Sequence, residues 1–143
     1  MNPGRIDHIR RLLPQIDAFL PSDQEVRSLF SEDVDLAEAA EILCRWGAPL
    51  VVVKMGDQGV LVQEGSKGRL THLPAYHQPG DPRVVDVTGA GDAFCGGFMV
   101  GLARNGDPRS AARMGAVSAS AVIEGYGALY ALTIPAAHWR SRC

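Results

Sequence analysis

The stretch Val84-Val85-Asp86-Val87-Thr88-Gly89-Ala90-Gly91-Asp92-Ala93-Phe94-Cys95-Gly96-Gly97-Phe98 decides the fold. Val84 and Val85 are β-branched and predict the end of a buried strand. Gly89 and Gly91 flank Ala90 in a tight turn, after which Ala93, Phe94, Gly97, Phe98 and Leu102 recur at helical spacing. A strand thus passes through a glycine turn into a helix. The first turn of a helix carries backbone N–H groups without intrahelical partners and the positive end of the macrodipole. Glycines let an anion come close to those groups, so the turn suits a phosphate or a developing negative charge. Asp92 sits where that anion would arrive. Its carboxylate is badly placed to bind phosphate and well placed to take a proton from a hydroxyl attacking phosphorus. Capping the helix is the plainer role open to it.

Asp86-Val87-Thr88-Gly89-Ala90-Gly91-Asp92-Ala93-Phe94 resembles the C-terminal signature of the PfkB-type carbohydrate kinases, the ribokinase-like family. Val87 is the one departure, standing where the family often has Thr. The resemblance implies an α/β fold, a ribokinase-like layered sheet with helices on both faces, of which this chain is the C-terminal portion. It implies ATP-dependent phosphoryl transfer to a hydroxyl of a sugar, nucleoside or related small alcohol. In that scheme Asp92 is the general base, and Gly89, Ala90 and Gly91 join it in an anion hole. Mg2+ on ATP neutralises the phosphates. Residues 1–143 then form a single partial kinase domain. The family's N-terminal glycine motif, its sugar-holding Asp and Asn residues and its small β lid have no counterpart here. On this reading the chain is a fragment, a split gene product or a truncated reading frame. It is expected to bind ATP weakly, to phosphorylate no sugar appreciably by itself, and to self-associate or dimerise through an open sheet edge. Two readings from other classes stand beside it, a nucleotide-binding module without catalysis and a non-functional fragment.

Composition agrees with one soluble globular domain. The 143 residues are 46% hydrophobic with a net charge of −2, enough to bury a core and too balanced to argue for nucleic acid or membrane as partner. No run approaches membrane-spanning length, and Met1-Asn2-Pro3-Gly4-Arg5 lacks the apolar stretch of a signal peptide. Cys44, Cys95 and Cys143 are odd in number and widely spaced, which suits a reducing cytoplasm better than a disulfide framework or zinc site. His8, His72, His77 and His138 are scattered and read as surface histidines.

Working outward toward the N-terminus, Ile6–Leu13 reads as an amphipathic helix and Ile16–Leu20 as a short strand. Ser22 and Glu25 form a capping-box pattern at the next helix. The resemblance adds that Glu25 matches a glutamate ordering the magnesium environment, although Ser22 replaces the family's Asn. Leu36–Trp46 predicts a helix with Asp35 as cap and Gly47 as stop. Leu50–Met55 is an apolar run without alternation, hence a central strand. Gly56 and Gly59 bracket a turn into the strand Val60–Gln63, and a hairpin suffices to explain them. By resemblance this turn lies beside the nucleotide, within reach of Lys54 and Asp57. Arg69–Leu73 follows as an edge strand, and residues 74–83 read as an irregular loop.

On the C-terminal side, Asn105-Gly106-Asp107-Pro108 ends one helix and starts another, with Asp107 as cap and Pro108 first. The helix Arg109–Glu124 is rich in Ala, Ser and Gly, which permits close packing; the resemblance makes it line the adenine pocket, near Gly115. The following turn, with Gly127, completes the nucleotide region on the same grounds. Asp86, Thr88, Val122 and Gly125 match positions around a monovalent cation, K+, in related kinases. Residues 135–143 read as the start of a helix.

Overall fold

The computed structural model describes residues 3–135. The expected helix over 135–143 therefore lies almost wholly outside the described residues. The chain divides into two compact units, one running to Met55 and including Val60–His72, the other comprising Gly56–Gly59 and the chain from Leu73 onward.

The first unit holds helices α1 (Pro3–Leu12), α2 (Asp23–Leu29) and α3 (Leu36–Arg45), followed by strands β1 (Leu50–Lys54), β2 (Val60–Glu64) and all but the last residue of β3 (Leu70–Leu73). The sheet order is β1-β2-β3, with β1 and β2 antiparallel and Val52 opposite Val62. The expected strand at Ile16–Leu20 is shorter than its apolar run. It makes isolated parallel bridges to β1, Phe19 with Val51 and Ser22 with Lys54, so β1 is hydrogen-bonded on both sides. That accounts for four consecutive buried residues at Leu50–Val53.

Helix α3 turns Ala39, Ala40, Leu43 and Cys44 inward at i, i+1, i+4 and i+5, where they join Leu13, Val26, Val51 and Val53 in one core. Full burial of Leu43 alone contributes about 1.5–3 kcal/mol. Both caps form as the sequence predicts. Asp35 Oδ1 accepts from the Glu38 N–H at 2.9 Å, and Ser22 and Glu25 make a reciprocal capping box.

The second unit is built on α4 (Ala90–Asn105) and α5 (Pro108–Val122). Small residues let these helices approach closely. A Cβ on Gly97 would fall 2.7 Å from the Ser118 Cβ, one on Gly101 2.7 Å from the Ala111 Cα, and one on Gly115 2.9 Å from the Phe94 ring. The Gly97 Cβ position also lies 2.8 Å from the Met114 carbonyl oxygen, so residues 94, 97 and 101 meet 115, 114 and 111 in descending order, which makes the pair antiparallel. Phe94 and Phe98 stack at 6.2 Å and fill the space that the glycines leave.

Two expectations fail here. Val84–Val85 is not a buried strand: the segment lies outside any strand, and Val85 is 43% exposed. Its backbone N–H goes to the Ile123 carbonyl at 2.8 Å, and no neighbouring strand among the described residues supplies a ladder. Nor is His77 a surface residue, being only 4% exposed.

Candidate functional site

Helix α4 starts from Gly89, whose φ of +81° lies in the left-handed region that a side chain disfavours. A Cβ there would also sit 2.5 Å from the Ala128 Cβ. The helix has no side-chain cap. Ala90, Gly91 and Asp92 make up its first turn. The Ala90 N–H donates to the Val87 carbonyl at 3.1 Å, so of the expected anion hole Ala90 drops out, and the Gly91 and Asp92 N–H groups, which a capping side chain would occupy, are left to an incoming group. Gly91 is helical without positive φ, so the conformational constraint falls on Gly89. Asp92 is exposed, and its carboxylate has no partner among the described residues. It does not cap the helix.

Asp86 is held from three directions. Its Oδ1 accepts from the Thr88 N–H at 2.9 Å and the Thr88 hydroxyl at 2.7 Å, and its Oδ2 accepts from the Gly127 N–H at 2.9 Å. The Thr88 hydroxyl, followed by the Gly127 and Thr88 amides, lowers its carboxyl below the ordinary aspartate range. Asp86, Thr88 and Gly127 are thus brought together. Val122 and Gly125 are buried nearby in sequence, and Gly125 is glycine because the Tyr130 ring would lie 2.1 Å from any Cβ.

Along α5 runs a cavity of about 620 Å3, lined by Leu73, Pro74, Tyr76, Asn105, Arg113 and Val117 among others. Gly115 is not on that lining; its missing Cβ makes room for Phe94. Just beyond Tyr76, the buried His77 ring places Nδ1 3.2 Å from Asp81 Oδ2 and Nε2 3.0 Å from Glu124 Oε1. The second is an ion-pair distance without hydrogen-bond alignment. Arg83 grips Asp81 through its guanidinium and its backbone N–H, which holds that carboxyl far below the usual range.

Gly56 and Gly59 form the expected turn, a 3-10 segment Gly56–Gln58 with both glycines at positive φ and the Gly59 N–H donating to the Gly56 carbonyl at 3.1 Å. Asp57 is exposed on it. Lys54 and Glu25 belong to the first unit. Glu25 accepts from the Ser22 N–H at 2.6 Å, and that bond foremost lowers its carboxyl. Its carboxylate is therefore committed to capping. Among the described residues no three His, Cys, Asp or Glu side chains gather into a metal site.

Reasoning from the sequence missed the cavity residues Tyr76, Asn105, Arg113 and Val117 and the His77 cluster. The only hint was an aromatic pair, Tyr76-His77, inside a proline-rich segment directly before the signature.

Comparison with known proteins agrees with the geometry. The model of the pfkB family carbohydrate kinases matches residues 2–135, and the chain belongs to that family. It is 35% identical over 123 residues to a cytidine kinase from Thermococcus kodakarensis, covering 86% of this chain and 42% of the relative. A ribokinase structure from Thermotoga maritima superposes with a TM-score of 0.76 at 29% identity, covering 91% of this chain and 42% of that one. The aminoimidazole riboside kinase of Salmonella enterica, complexed with aminoimidazole riboside and an ATP analog, superposes at 0.78 with 25% identity, covering 98% and 46%. The chain spans less than half the length of these relatives. No helix among the described residues is long and apolar enough to cross a membrane.

Proposed function

We propose that this chain is the nucleotide-binding and catalytic portion of a kinase that transfers the γ-phosphoryl group of ATP to a hydroxyl of a sugar or nucleoside. The observation that carries this reading is the uncapped start of α4, with Gly89 left-handed and Asp92 exposed and unengaged three residues on. The amides of Gly89, Gly91 and Asp92 would hold charge developing on the transferring group, a contribution of about 3–4 kcal/mol per well-placed donor, while the Ala90 amide stays on the Val87 carbonyl. Asp92 would accept the hydroxyl proton. Magnesium, carried in with ATP, would supply neutralising charge at the phosphates.

The cavity along α5 would take the nucleobase. From Ala116 on its lining to Val122 at the helix end is six residues, or about 9 Å at roughly 1.5 Å per residue. That offset is of the order of the reach from a base to its phosphates. Gly56, Asp57, Gly59 and Lys54 would border the nucleotide, and Asp86, Thr88, Val122 and Gly125 would hold a potassium ion. Glu25 would act on magnesium only by leaving Ser22. The alternation along β3 of exposed and half-buried residues leaves room for self-association at that edge. A cytoplasmic setting fits Cys44 and Cys95, neither of which is in a disulfide among the described residues.

The test is calorimetric titration of the purified chain with Mg·ATP, followed by ADP release with a panel of pentoses, hexoses and nucleosides. Micromolar to millimolar binding that requires magnesium supports the reading. Absence of any Mg·ATP binding overturns it, and binding without turnover in any acceptor context favours a binding module.

A further inference from the structure

The segment between the cavity and the signature turn carries a buried charged cluster that phosphoryl transfer itself does not use. We propose that His77 is a positioning residue that couples the cavity along α5 to the signature turn, an inference that rests on reading the two as one nucleotide site. On the cavity side, the Tyr76 ring lines the wall and meets the His77 ring edge-on at 5.2 Å. On the turn side, His77 Nε2 faces Glu124, the residue after Ile123, at 3.0 Å. The Ile123 carbonyl accepts from the Val85 N–H at 2.8 Å and the Asp86 N–H at 3.3 Å. Asp86 then fixes Thr88 and Gly127, and Gly89 follows as the residue from which α4 starts. Each link is a contact or a step to the next residue along the chain.

The surroundings of the ring explain why histidine suits the place. Its side chain is 3% exposed, while the carboxylates of Asp81 and Glu124 are 11% and 12% exposed. Arg83, on the outer side of Asp81, and Tyr76 are the other titratable groups in the cluster. Buried carboxylates require donors, and imidazole is the compact side chain that presents two nitrogens on opposite edges of one ring. An aliphatic residue fills the volume but removes the Nδ1 contact to Asp81 and the Nε2 approach to Glu124.

Local hydrogen exchange on the full chain separates coupling from plain stability. In His77→Leu the amides of Val85 and Asp86 should exchange about tenfold faster, while those inside α4, such as Phe98, keep their rates. The Mg·ATP dissociation constant should rise by a similar factor. Glu124→Gln keeps the shape and should reproduce the pattern if His77→Leu fails to fold, and His77→Gln, with one donor retained, should fall between. Unchanged exchange at Val85 and Asp86 in the folded variants overturns the proposal. So does a uniform rise that includes Phe98, since the cluster would then be a general stabiliser. Should the parent chain bind no Mg·ATP, the nucleotide reading fails, and the exchange pattern still decides whether His77 governs the turn.

Discussion

Helix α5 begins on a side chain, and helix α4, the one before it, begins on none. At α5, Asp107 Oδ2 accepts from the Ser110 N–H at 3.0 Å and the Ser110 hydroxyl at 2.6 Å, and Pro108 removes another N–H from the account. At α4 the corresponding residue is Gly89, which has no side chain to offer. Helices α2 and α3 resemble α5, being capped by Ser22 and Asp35. A closed helix end stabilises the fold, whereas an open one forgoes that stabilisation and keeps its donors available. The contrast separates residues that hold the chain together from residues that wait for a ligand.

The sharpest way to break the contrast is at Asp92. In a chimera joining this chain to the acceptor-binding portion of a relative, Asp92→Asn should lower turnover by about 10²–10⁴-fold. The Mg·ATP dissociation constant and the melting temperature should stay put. Near-full turnover would reduce Asp92 to a surface carboxylate.

Gly89→Val should damage both stability and binding. The backbone penalty for a β-branched residue at φ +81° is about 1–3 kcal/mol. The contact with Ala128 adds an overpacking cost of about 1–3 kcal/mol. Chemical denaturation and calorimetry with Mg·ATP read the two losses, and a variant as stable as the parent would contradict the left-handed turn. Gly91→Ala sharpens the point. Its helical conformation accepts a methyl group, with a gain of about 0.5–1 kcal/mol in helix propensity, so any weaker Mg·ATP binding reports close approach of the anion.

At the closed end the expectation reverses. Asp107→Ala should lower the melting temperature and leave Mg·ATP affinity unaltered. The Ser110 hydroxyl, then its amide, hold the Asp107 carboxyl below the ordinary aspartate range. A depressed folded pKa stabilises the fold above the unfolded value, and that stability is lost as pH falls through the folded one. Asp107→Asn should therefore flatten the acid limb of stability against pH, a small effect best read by denaturation between about pH 5 and pH 2.

The closed ends were legible in the sequence because capping is local: Ser22 with Glu25, Asp35 with Glu38, Asp107 with Ser110 are all three apart. The signature turn was legible for the same reason. What escaped depended on distant partners. Val84 and Val85 have the propensity of a strand, yet a strand needs a ladder, and theirs is replaced by a local bond from the Val84 N–H to the Asp81 carbonyl and one from the Val85 N–H to the Ile123 carbonyl. His77 is buried by Glu124, 47 positions away, which spacing alone does not reveal. Glu25 shows the opposite case, where a local role occupied a residue that the resemblance had assigned to magnesium. Placing the left-handed glycine at 89 rather than 91 needed the backbone itself.

The close packing of α4 on α5 has a kinetic side. Gly106 and Asp107 alone separate the helices, and their facing residues, such as Gly101 with Ala111, are near in sequence. Contacts of that kind close small loops and form early in folding. The bond from Gly127 to Asp86 spans 41 residues and needs the hairpin in place before its ends can meet. In time, then, the helix that offers its open end should be assembled first, and the Asp86 tether that sets the approach to it should be tied afterwards.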